Sequence, residues 1–248
     1  MSRPTLETHP VVPLNEKLFK ACAKGSLEEV RALLDQGADP NYPHLDPPWE
    51  DDLPASIYTE DSYCVHEAAE NPDIRVFDLL VERGANPNQF DYWVRQPLAF
   101  AGGSNSLEMV RHLVELGNDP GNIDHDGGTV LTYSALNPDV RVLEFLLSKG
   151  AALDDCDMFN TELTIAVCKG TPDRVKFFID HGSQIDISFE KCKTAPLENL
   201  RVLLAAGYDP TKASDVFRTD EVEQVKADIA AFDPERKALF AEFGWTGG

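Results

Sequence analysis

Residues 63–88 read YCVHEAAENPDIRVFDLLVERGANPN. The phrase holds two short helical stretches broken at Asn71-Pro72-Asp73. Asparagine tolerates turn geometry there, and proline is welcome in a first helical turn. Leu79 and Leu80 supply the apolar face of the second stretch, and Gly84 ends it in the φ-positive conformation that other residues resist. The same stop, a leucine pair shortly followed by glycine, recurs at Leu33-Leu34…Gly37 and Leu146-Leu147…Gly150. Weaker copies end at Gly117, Gly182 and Gly207. Successive glycines lie 47, 33, 33, 32 and 25 residues apart. A period near 33 predicts an all-α repeat solenoid of about six stacked helical pairs.

The copies differ in detail but keep the plan. In residues 14–41, Leu18, Ala21 and Cys22 form a narrow stripe on the first helix. Gly25 breaks the chain, Ser26 is placed to cap the second helix, and Leu27, Val30, Leu33 and Leu34 form its apolar face. Further copies occupy 96–121, 128–153 and 161–186. Gly102-Gly103 weakens its helix end or lets another group approach the backbone. Asp91–Arg95, Asp124–Gly128 and Asp155–Asn160 precede the third, fourth and fifth pairs, where short projecting β-turn fingers are expected.

Tyr63-Cys64-Val65-His66-Glu67-Ala68-Ala69 resembles the T-P-L-H-x-A-A phrase of the ankyrin repeat family. Gly37-Ala38-Asp39-Pro40-Asn41 and Gly84-Ala85-Asn86-Pro87-Asn88 resemble its later G-A-D/N-x-N phrase, and Gln96–Ala99 and Thr129–Thr132 are degenerate copies of the former. The resemblance spans roughly 14–210. It implies helices in two layers, fingers at right angles, and protein binding through the concave surface of fingers and first helices. It also implies that His66 joins turn backbones by hydrogen bonds.

Four segments depart from the plan. Residues 1–13 read as an irregular arm. Residues 42–62 form an inserted loop carrying Trp49, Leu53, Ile57 and Tyr58 among prolines and acids. So many large apolar groups predict packing across the concave side or against neighbours, with a solvated acidic loop as the alternative. The sixth copy is shortened, Phe189–Pro196 replacing most of a first helix. Residues 211–248 predict a helical C-terminal cap, with Val222, Val225 and Ile229 on one face and Pro234 opening a last helix through Ala238, Leu239 and Phe240.

The chain carries 43 acids against 22 bases, a formal charge of −21 spread along its length. Such a surface repels phosphate backbones and anionic membranes, which argues against nucleic acid and membrane partners and allows a protein with a basic surface. No apolar run is long enough to span a bilayer. Cys22, Cys64, Cys156, Cys168 and Cys192 include no CxxC pair, so no metal and no cofactor are expected. The expectation is an intracellular, cytoplasmic or nuclear monomer.

Candidate binding residues are Trp49, Tyr58, Tyr92, Trp93, Arg95, Phe100, His125 and Phe159, aromatic anchors with one arginine, as in protein-binding hot spots. His125 lies between Asp124 and Asp126, but adjacent side chains on a turn rarely converge on one ion. The first reading is a non-catalytic protein-interaction module. The alternative is a divergent enzyme or small-molecule binder, its groove covered by the 42–62 loop, with Asp61, His66, Tyr133 and Asp157 as proton-transfer candidates.

Overall fold

A computed structural model describes residues 12–44, 62–103, 106–154, 161–185, 187–213 and 219–246. The chain divides into two compact units, residues 1–151 and 152–248. Among the described residues both are built from helices. Strand-like pairing there is limited to isolated bridges, His44 with Ser62 and Ile123 with Thr129.

The described residues of the first unit form four helical pairs. These are α1 (Val12–Lys24) with α2 (Leu27–Asp35), α3 (Cys64–Glu70) with α4 (Ile74–Glu82), α5 (Pro97–Gly103) with α6 (Leu107–Glu115), and α7 (Val130–Ser134) with α8 (Val140–Ser148). The first helices α1, α3, α5 and α7 pack in series; α2 packs on α4, and α6 on α8. At five to nine residues, all but α1 are too short to persist alone in water. Each instead buries one face: Val30, Leu33 and Leu34 on α2, Val76, Phe77, Leu79 and Leu80 on α4, Val142, Leu143 and Leu146 on α8. At roughly 1.5–3 kcal/mol per buried large apolar side chain, packing dominates over helix propensity.

The second unit contains α9 (Glu162–Lys169) with α10 (Pro172–Asp180), α11 (Phe189–Thr194) with α12 (Leu197–Ala205), a 3-10 turn at Pro210–Lys212, then α13 (Thr219–Ala231) and α14 (Pro234–Glu242). The short sixth copy thus keeps a first helix, of six residues. Val225 and Ile229 of α13 and Leu239 and Phe240 of α14 are buried, as their apolar spacing predicts, while Val222 is half-buried. Arg236 on α14 donates to the carbonyls of Cys192 (3.2 Å) and Ala195 (2.9 Å), which satisfies the open end of α11.

All six second helices stop the same way. The glycine N–H donates to the carbonyl three residues back and the next N–H to the carbonyl five back, as in Gly84 to Val81 and Ala85 to Leu80. The six glycines have φ between 93° and 97°. Their requirement is conformational: at Gly37, Gly84, Gly150, Gly182 and Gly207 a Cβ would meet nothing within 4 Å. The end of α14 repeats the device, with Gly244 at φ 88° and Trp245 N–H donating to the Phe240 carbonyl.

Helix starts vary more. Asp73, Ser106 and Asp139 accept backbone N–H bonds as N-caps. The expected Ser26 cap is not formed by its hydroxyl; the backbone holds that corner instead, Ser26 N–H donating to the Ala21 carbonyl (3.2 Å). Gly102 is explained by close approach, since a Cβ there would lie 2.3 Å from Ser134 Oγ on α7.

Candidate functional site

Two turns of the first unit stand ahead of α5 and α7, and they share one hydrogen-bond plan. In the first, Asp91 and Arg95 close the turn, Asp91 N–H donating to the Arg95 carbonyl (3.0 Å) while Arg95 N–H donates to Asp91 Oδ1 (2.7 Å). In the second, Asp124 N–H donates to the Gly128 carbonyl (2.9 Å) and Asp124 Oδ1 accepts from Gly128 N–H (2.8 Å). The positions correspond one to one. Gly127 has φ 77°, and Val94, its counterpart, is held at φ 65° despite its branched side chain. His125 N–H donates to the Trp93 carbonyl (3.0 Å), tying the turns together.

This register aligns side chains. Phe90 and Ile123 occupy equivalent places, 44% and 41% exposed, and Tyr92 (43%) and His125 do likewise. The Tyr92 ring meets Trp93 edge-on at 5.5 Å and His125 at 6.4 Å.

Beside them the Arg95 guanidinium lies over Phe100, 4.7 Å from its centroid, and 5.9 Å from that of Tyr133. Its Nε donates to Asp91 Oδ2 at 2.7 Å. Burial works against the Arg95 charge, but the Asp91 carboxylate outweighs it and the pKa is raised. Tyr133 donates its hydroxyl to Asp124 Oδ2 in a short hydrogen bond. Burial, reinforced by that carboxylate, pushes the phenol up to about 12. Glu70, Arg95, Ala99, Phe100, Gly103 and Tyr133 line a cleft of about 160 Å³.

His66 lies beneath, stacked on Phe100 at 4.8 Å. Its Nδ1 accepts from Tyr63 N–H (3.1 Å), so Nε2 carries the proton and donates to the Gln89 carbonyl (2.9 Å). Thr132 fills the equivalent slot on α7, its Oγ1 accepting from Thr129 N–H. Burial depresses the His66 pKa to about 4. The imidazole is therefore neutral near pH 7, with both nitrogens engaged in holding turns.

The structure thus brings together Arg95, Phe100, Tyr133 and His66, and places Tyr92, Trp93 and His125 in the neighbouring turns. Trp49, Tyr58, Asp61, Asp157 and Phe159 lie outside the described residues, as does most of the 42–62 loop. Sequence reasoning missed Phe90, Ile123, Glu70, and the turn-closing roles of Asp91 and Asp124. Overlaying the chain on itself at an offset of 33 pairs Phe90 with Ile123 and Asp91 with Asp124, and would have found four of the five. No group of three or more His, Cys, Asp or Glu side chains among the described residues is arranged to hold a metal. No described helix is long and apolar enough to cross a membrane.

The family profile described as ankyrin repeats (3 copies) matches residues 65–158 and 98–189, together half of the chain. The chain belongs to the ankyrin repeat family. It is similar to a candidate ankyrin repeat protein, FPV014, of fowlpox virus, 27% identical over 68% of this chain and 36% of that protein. It is similar to ankyrin repeat protein nuc-2 of Neurospora crassa, 27% identical over 65% of this chain and 14% of that one. A candidate palmitoyltransferase of Danio rerio, ZDHHC13, is 24% identical over 92% of this chain and 35% of that protein. The chain spans about a third of these relatives' length or less.

Proposed function

We propose that this chain is a non-catalytic protein-interaction module, and that the 91–95 and 124–128 turns are its β-turn fingers. Residues 14–210 form the repeat domain, interrupted by the 42–62 insertion, and 211–248 form its helical cap. Ankyrin folds mediate protein–protein contact in general, and one observation carries the reading here. Phe90, Tyr92, Ile123 and Tyr133 lie in or just before the two tied turns and on α7, each 37–44% open to solvent. Such a face is preorganised, so a partner docks without first ordering it. The charge of −21 favours a partner with a basic surface.

The small-molecule reading has less support. A cleft of about 160 Å³ falls below the roughly 300–1,000 Å³ usual for organic ligands. His66 is locked between backbone groups, and the Tyr133 proton is committed to Asp124.

The test is selection of a random peptide display library on the whole chain. Selected peptides should lose about tenfold or more in affinity on Trp93→Ala or Tyr92→Ala, with circular dichroism and melting unchanged. Peptides that bind both variants as well as the parent would sink the assignment of this face.

A further inference from the structure

We propose that the cleft beside Phe100 receives the cationic end of a lysine or arginine side chain from the partner; this deepens the protein-binding reading and rests on it. An arginine at the centre of a cleft first suggests an anion. Here it does not serve one, because Asp91 already occupies the Arg95 guanidinium through both Nε and a terminal nitrogen, each at 2.7 Å. The pair is neutral. Asp124 is likewise spent, on the backbone of its turn and on the Tyr133 hydroxyl.

Glu70 is different. It closes α3 and lines the cleft, and its carboxylate makes no hydrogen bond or ion pair among the described residues. Its carboxylate is open to solvent on one side and desolvated on the other, which raises its pKa although the Arg95 charge opposes the shift. With Arg95 and Asp91 paired, the cleft is left with the Glu70 carboxylate beside Phe100 and Tyr133. An ammonium or guanidinium pairs with the Glu70 carboxylate, and its aliphatic stem covers the apolar side of the cleft. The field of the whole chain acts in the same direction, since a charge of −21 concentrates cations and repels anions.

Gly103 keeps the cleft open. Among the described residues, a Cβ there would meet the Tyr133 carbonyl at an ordinary 3.6 Å. Leucine at 103 should thus fill the cleft without disturbing α5.

The experiment uses the Trp93-dependent peptides, each resynthesised with lysine as norleucine or arginine as citrulline. One such change is expected to weaken binding at least tenfold. Glu70→Gln and Gly103→Leu should do the same, and with Glu70→Gln in place the norleucine or citrulline change should have little further effect. Peptides that depend on Trp93 yet tolerate neutralisation of every basic residue, or ignore both cleft variants, overturn this inference and leave the interaction face standing. Loss of all Trp93-dependent binding removes the face itself. Glu70-dependent binding of spermine by a chain whose peptides ignore Glu70 would assign the cleft to a free polyamine and overturn the proposal.

Discussion

Asn71 closes over Gly25: a Cβ at residue 25 would lie 2.0 Å from the Asn71 side-chain nitrogen. Gly25 also sits at φ 68°, so two separate causes exclude a side chain. Gly25→Ala should lower stability by about 1–3 kcal/mol, part from the left-handed backbone and part from moving the amide. In an Asn71→Ala background only the backbone part remains, and the cost should shrink. Urea unfolding of the four variants measures the difference; equal costs in both backgrounds would show that the contact is immaterial.

Val94 offers the opposite change. It holds φ 65° where Gly127 serves in the next turn. Val94→Gly should relieve a left-handed strain of roughly 1–2 kcal/mol. It should lose about 0.5–1 kcal/mol of that to the greater freedom of the unfolded chain. A small rise in melting temperature is expected. A clear fall would mean that the valine contacts outweigh the strain.

His66 makes stability depend on pH. In the folded chain it titrates at about 4 because it is buried, whereas the unfolded imidazole does so near 6.5. The unfolded state therefore binds the proton first. The stabilisation is full above about pH 6.5 and is lost as pH falls to about 4. His66→Thr adopts the side chain used at Thr132 and should remove this component, at some cost from the lost Gln89 bond. Unfolding free energies from pH 7 to 4, compared between the two chains, test the point; parallel curves would be the contrary result.

In the second unit, Asn199 is wholly buried and its Nδ2 reaches the carbonyls of Ala166 (3.3 Å), Val167 (3.0 Å) and Gly170 (3.0 Å). It completes the end of α9 from α12. Asn199→Leu keeps the volume but removes the amide donor from the Val167 and Gly170 carbonyls, while Ala166 keeps its bond from Gly170 N–H, and should cost about 1–3 kcal/mol. Hydrogen exchange should quicken first in α9. Unchanged protection there would place the role of this amide elsewhere.

The stack was readable because its stops are written in glycine. A φ near 95° excludes most other residues, so Gly37, Gly84, Gly117, Gly150, Gly182 and Gly207 announce themselves. Caps are less legible: Ser26 has the right chemistry, but the backbone had already satisfied its corner. The candidate site was half visible. Arg95, Phe100 and Tyr133 stand out by type, but Glu70 looks like any acid on a helix until the cleft shows what faces it. The two turns were legible as equivalent segments ahead of successive pairs, but the closing role of Asp91 and Asp124 was not, because Tyr92-Trp93-Val94 and His125-Asp126-Gly127 differ at every position.

Asparagines join neighbouring copies within the first unit. Asn41 Nδ2 donates to the Gly84 carbonyl, Asn88 Nδ2 to the Leu116 carbonyl, and Asn118 Nδ2 back to the Pro87 carbonyl. The first two joints thus each place an asparagine amide of one copy on a carbonyl at the end of the next copy's second helix. A gene that loses the one segment lying between those two joints would still set an asparagine amide against a helix-end carbonyl at the seam, whereas a cut made inside a segment would not.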